Sequence, residues 1–101
     1  MDVNEARELL GRALFVDVRE PYEFEAGHIE DSLHIPIGEV AERWEEFRSD
    51  DPVVVVCHVG QRSALVVDFL EKRGVAANNL EGGLAAWARA GLPLTADASP
   101  G

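Results

Sequence analysis

A single cysteine, Cys57, heads the stretch Cys57-His58-Val59-Gly60-Gln61-Arg62-Ser63 and directly follows the run Val53-Val54-Val55-Val56. A thiol followed by a short polar loop and then a helical pattern is placed to act as a nucleophile. The unpaired N–H groups and the dipole at a helix N-terminus favour an anion. A cysteine in such a position drops from a pKa of about 8.5 into a range of roughly 3.5–7.5. Backbone N–H groups of residues 58 to 63, covering His58, Val59, Gly60, Gln61, Arg62 and Ser63, are expected to curl around the sulfur as an anion nest. Gly60 supplies the positive φ or close approach that such a curl needs. Ser63 fits a helix N-cap, its hydroxyl accepting a backbone N–H. His58 is available as a general base, which a preformed thiolate does not require. Arg62 either grips an anionic substrate through its forked donors, points outward, or pairs with an acid such as Asp17.

The elements that must hold these residues follow from the apolar pattern. Four successive valines are too apolar for a half-exposed strand and read as a central strand buried on both faces of a parallel sheet. Open α/β sheets place their ligand sites at the carboxyl ends of such strands. Leu14 to Val18 is a second strand, and Asp17 and Arg19 leave it on the same edge of the sheet as Cys57. Leu33 to Ile35 is a short strand stopped by Pro36, and Val75 to Leu80 a further strand interrupted by Asn78-Asn79. Asp2 and Glu5 have the spacing of a capping box, with a short helix expected over Ala6 to Arg12. Pro21 to Gly27 reads as a loop with one helical turn. Ile37, Val40, Trp44 and Phe47 share one helical face. Ala64 to Arg73 is an apolar, largely buried helix ended by Gly74, and Leu84 to Ala90 a last helix before Gly91 and Pro93. Strands alternate with helices, so the expected class is α/β: a mainly parallel sheet of about five strands flanked by helices on both faces. Residues 1–95 form the domain, and 96–101 are expected to be a flexible tail.

Composition narrows the function. The 101 residues suit one core, and 47% hydrophobic with 28% charged residues is ordinary for a soluble globular domain. One cysteine forbids an internal disulfide, and no Cys/His group has zinc-site spacing. Nine basic against nineteen acidic residues give a net charge of -10, without the basic footprint of a nucleic-acid-binding domain. The acidity serves solubility; it also repels small anions from the surface at large while Arg19 and Arg62 form a local positive focus, or it presents an acidic face to a basic partner. No apolar stretch approaches 18 residues, so no membrane partner is expected and the cytoplasm is the expected location.

Cys57-x-x-Gly60-x-Arg62-Ser63 resembles the active-site loop of the single-domain rhodaneses. Leu14 to Glu20 is similar to that family's Asp-x-Arg strand, and Phe24 to Ile29, leading to Ile35-Pro36, to its Gly-His-Ile segment. Leu80-Glu81-Gly82-Gly83 with Trp87, Gly91 and Pro93 is similar to its closing segment. The resemblance covers about residues 3 to 95. It implies a rhodanese-like fold and sulfurtransferase chemistry with no cofactor and no metal. Cys57 would attack the outer sulfur of thiosulfate or a related persulfide donor and pass it to a thiol or cyanide acceptor, an acceptor protein included. Residues 58 to 63 and Arg19 would bind substrate, Arg62 through the sulfonate oxygens of the donor. Asp17 and His28 would support the site. Two other functions fit less well. A cysteine-based phosphatase places its arginine six residues after the cysteine, where this chain has Ser63. A binding or persulfide-carrying module with little turnover of thiosulfate would share the fold; retention of Cys57 favours sulfur chemistry.

Overall fold

The computed structural model describes residues 1–96. Four strands, β1 (Leu14–Asp17), β2 (Leu33–His34), β3 (Val53–Val56) and β4 (Asn78–Asn79), form a parallel sheet in the order β2-β1-β3-β4. The helices are α1 (Val3–Arg7), α2 (Pro21–Ala26), α3 (Val40–Arg43), α4 (Gln61–Glu71) and α5 (Gly83–Arg89). Short 3₁₀ turns at Ile37–Glu39 and Trp44–Phe47 flank α3.

The pleat divides the core in two, because successive strand residues face opposite sides. Val16, Val53 and Val55 pack with Val40, Phe47, Val66 and Leu70 on the side of α3 and α4. Phe15, Val54 and Val56 pack with Ala6, Leu80, Leu84 and Trp87 on the side of α1 and α5. Phe15 meets Trp87 edge to face, ring centroids 6.2 Å apart, a favoured aromatic geometry. β3 is therefore buried on both faces, and burying each valine contributes about 1.5–3 kcal/mol. The strand that ends at Cys57 is a firm platform. Its register with β1 sets Asp17 opposite Val56, one residue before the thiol.

Several expectations change in detail. Among the described residues the sheet has four strands, not about five. The segment from Val75 to Leu80 pairs only at Asn78–Asn79, the two residues expected to interrupt it. Asn78 is usable there because its side-chain amide donates to the Val53 carbonyl at 3.1 Å. The Asp2–Glu5 capping box forms, but a helix begins directly after its cap, so α1 runs from Val3 to Arg7 and the chain turns through residues 8–12. Residues 21–26 form a full short helix with Pro21 in its first turn, where a missing N–H costs nothing. The Ile37 stripe is split by 3₁₀ turns, and Trp44 is only half-buried, with the Arg48 guanidinium 4.9 Å from its ring centre. Helix α4 starts three residues earlier than Ala64 and buries only Ser63, Val66 and Leu70, with Leu65 standing out in solvent. Its N-cap is Gly60 and not Ser63, which occupies the third helical position. Apart from Ala96, the expected tail lies outside the described residues. Among those described, no helix is long and apolar enough to cross a membrane.

Candidate active site

The Cys57 side chain is 1% exposed at the end of β3, beneath the loop that leads into α4. Gly60 takes a left-handed conformation, φ 97°, and turns the chain so that its N–H donates to Cys57 Sγ at 3.1 Å. The Ser63 N–H reaches the same sulfur at 3.4 Å, and the Arg62 N–H also acts on it. The donors are backbone groups fixed by the first turn of α4, so they need no reorganisation when charge appears on sulfur. Burial pushes the thiol up, but the hydrogen bonds made to the sulfur by residues at the start of α4, Ser63 first and then Gly60 and Arg62, together outweigh it. Cys57 titrates below its ordinary value.

The loop fits tightly against its neighbours. A Cβ at Gly60 would lie 3.3 Å from both Gly82 N and the Leu80 carbonyl oxygen. A Cβ at Gly83 would lie 2.5 Å from the Cys57 and His58 carbonyl oxygens, at a φ of 59° that side chains avoid. Those two carbonyls accept from the Leu84 and Ala85 N–H groups, each at 2.9 Å. The start of α5 thus clasps the loop from behind. Ser63 Oγ lies 3.2 Å from Cys57 Sγ and also bonds the side-chain oxygen of Asn79, whose Nδ2 donates to the Gly60 carbonyl at 3.2 Å.

Both arginines expected to give a positive focus are engaged by carboxylates. Arg19 is 6% exposed and locked on Asp17, Nε to Oδ1 at 3.0 Å and Nη2 to Oδ2 at 2.8 Å, with a further bond to the Gly27 carbonyl at 2.7 Å. Arg62 forks onto Glu23 of α2, Nη1 to Oε1 at 2.7 Å and Nη2 to Oε2 at 2.9 Å. That pairing, partly offset by burial, holds the Glu23 carboxyl down at about 2. Arg62 therefore meets Glu23, not Asp17, and the charge beside the thiol is balanced locally. What remains to attract an anion is the ring of N–H dipoles.

The other expected residues take distinct places. The side chains of His58, Val59 and Gln61 are exposed, so their part of the loop faces solvent. His28 is buried, its Nδ1 2.7 Å from the Phe24 carbonyl and its ring stacked on Phe24 at 3.7 Å. His34 stacks on the same phenyl ring at 4.3 Å and bonds the Arg19 carbonyl at 2.8 Å. Asn79 and Glu23 are neighbours that the motifs do not name. A polar pair inside an otherwise apolar segment was the available signal for Asn79.

Known proteins share this sequence pattern and fold. The family model described as Rhodanese-like domain matches residues 2–90. A sulfurtransferase of Allochromatium vinosum is 40% identical over 84 residues, 82% of this chain and 78% of that protein. A thiosulfate sulfurtransferase, GlpE, of Vibrio cholerae is 31% identical over 99 residues, 95% of this chain and 93% of that one. The crystal structure of a rhodanese-related protein from Thermoplasma volcanium superposes with a TM-score of 0.89 at 35% identity, covering 94% of this chain and 95% of that chain. An α/β fold with a parallel sheet, a buried thiol at the end of its central strand and these matches define one class. The chain belongs to the rhodanese-like domain family.

Proposed function

We propose that this protein is a sulfurtransferase that carries sulfane sulfur on Cys57, from thiosulfate or a related persulfide donor to a thiol or cyanide acceptor. The observation that supports it most is the convergence of N–H groups from Gly60, Arg62 and Ser63 on one buried sulfur. In the first half-reaction the Cys57 thiolate attacks the outer sulfur of thiosulfate. A Cys57 S–S bond forms, the S–S bond of the donor breaks, and sulfite leaves with the bonding pair. In the second, cyanide or a thiolate attacks the terminal sulfur of the persulfide, and the Cys57 thiolate returns. Sulfur carries negative charge at each stage, first on Cys57 and then on the outer atom, and the same backbone donors serve both. No step needs a metal or cofactor. Arg62 serves the donor's oxygens from beside the loop, and a dianion arriving there competes with Glu23. Because Arg62 is held by Glu23 and lies five residues after Cys57, the loop is poorly suited to a phosphatase.

A carrier that hands its sulfur to a protein acceptor is the second reading, supported by the exposed apolar side chains. Val59 is 47% exposed on the loop, Leu65 68% on α4 and Tyr22 73% on α2 beside Glu23, so an apolar protein surface can rest against the loop. Thiocyanate formation from thiosulfate and cyanide tests the first reading. Wild type should turn over, and Cys57→Ser should be inactive because its oxygen forms no persulfide. Stable loading of Cys57 with negligible thiocyanate release would favour the carrier. Activity surviving in Cys57→Ser would contradict both.

A further inference from the structure

The hydroxyl of Ser63 has one proton and two neighbours that can take it: Cys57 Sγ, 3.2 Å away, and the side-chain oxygen of Asn79. The orientation of Asn79 is fixed by its other contact. Its second polar atom lies 3.2 Å from the Gly60 carbonyl, and a carbonyl only accepts, so Nδ2 must face it and Oδ1 must face Ser63. Oδ1 in turn only accepts, so Ser63 donates its proton to Asn79. The serine oxygen then meets Cys57 with lone pairs, an arrangement that suits a neutral S–H or an uncharged sulfur and opposes a bare thiolate. If Ser63 rotates to donate to the thiolate, Asn79 Oδ1 loses its partner in a part-buried site, which carries a cost of its own.

We propose that Asn79 is a positioning residue that holds the Ser63 proton away from Cys57, and so restrains ionisation of the bare thiol. The N–H ring and Asn79 work against each other: the ring draws charge onto sulfur, and Asn79 withdraws one of the donors that would share it. The charged and titratable groups around the sulfur do not supply this restraint. Arg62 of α4 is paired with Glu23 of α2, where Tyr22 adjoins it. Arg19 beyond β1 is paired with Asp17, His58 on the loop is exposed, and Glu81 beyond β4 binds the N-terminal ammonium. On the proposed function, the restraint has a use. In the persulfide the inner sulfur is uncharged and needs no proton from Ser63, so the Ser63–Asn79 pair raises the thiolate and leaves the loaded form alone. The balance tilts toward keeping sulfur on the protein.

The test is the pH dependence of Cys57 alkylation by iodoacetamide in wild type, Asn79→Ala, Ser63→Ala and the double variant. Asn79→Ala should release the Ser63 proton to sulfur and lower the apparent pKa of Cys57 by about one unit, the scale of one hydrogen bond to a charged group. In the Ser63→Ala background the same substitution should produce no such drop, because there is no hydroxyl to redirect. A brace that merely supports the loop through Gly60 would act oppositely: losing it would loosen the N–H ring and raise the pKa, with or without Ser63. An unchanged or raised pKa in Asn79→Ala, or a drop that persists without Ser63, would overturn the proposal. Alkylation needs no sulfur donor, so this result stands apart from the test of turnover. Equilibrium loading of Cys57 in a fixed thiosulfate and sulfite mixture gives a second readout, and the loaded fraction should fall in Asn79→Ala.

Discussion

Two arginine–carboxylate pairs flank the Cys57 loop, and they are built differently. Arg19–Asp17 is interior: the side chains are 8% and 0% exposed, and the guanidinium also binds the Gly27 carbonyl. Arg62–Glu23 sits at the rim, with side chains 33% and 20% exposed. The inner pair ties the end of β1 to the segment before Ile29. The outer pair joins α4 to α2 across a solvent-facing edge, where a ligand can compete for either partner. On the proposed function, the buried pair serves structure and the more accessible one meets substrate, and substitutions should separate these roles.

Removing charge from the inner pair should have the largest effect. Asp17→Asn leaves the Arg19 guanidinium buried without its counter-ion, and breaking such a pair costs about 3–5 kcal/mol, read as a loss of unfolding free energy in urea. A loss below about 1 kcal/mol would show that Arg19 escapes to solvent and that the pair is no more structural than the outer one. Arg62→Ala should cost less stability than Asp17→Asn, because the rim pair is only partly buried and Glu23 can turn to water. It should instead lower kcat/KM for thiosulfate about tenfold, mostly through KM, because a guanidinium contact made in ground and transition states alike affects binding. A fall in kcat at constant KM would move Arg62 into the chemical step.

The smallest effect on turnover should come from Glu23→Gln, a severalfold gain in kcat/KM for thiosulfate as Arg62 is freed, accompanied by a loss of stability at neutral pH. This pair also carries a pH signature. The folded Glu23 carboxyl lies at about 2, below its ordinary 4.5. Its contribution is therefore complete above pH 4.5, and falls away as the pH drops from there toward 2. Unfolding curves of wild type and Glu23→Gln should differ by a constant amount above that window and converge through it. A difference that instead grew on acidification would contradict the pairing.

How much of this was legible in the sequence depends on the range of each interaction. The valine run, the lone cysteine behind it and Gly60 lie close together in the chain, so the strand, the thiol at its end and the left-handed turn could all be placed from local pattern. The Asp2–Glu5 capping box was equally local, though its helix starts and ends earlier than the apolar residues Leu9 and Leu10 suggest. The partners of the two arginines are another matter. Arg62 and Glu23 are 39 positions apart, and nothing in either segment says which of the many acids it meets. Asn79 presents the same difficulty: an asparagine pair looks like a break in a strand until β4 is seen beside β3, where it reaches Ser63 and Gly60. Ser63 looked like a cap because serine often is one; Gly60 took that position because the turn demanded a positive φ.

The role assigned to the outer pair presumes that Cys57 accepts sulfur, and intact-protein mass spectrometry tests that most directly. Reduced wild-type protein, incubated with thiosulfate and freed of small molecules, should gain the mass of one sulfur atom. The gain should map to the peptide containing Cys57, disappear on treatment with cyanide, and be absent from Cys57→Ser. An unmodified mass after incubation, or a gain that persists in Cys57→Ser, would contradict the account.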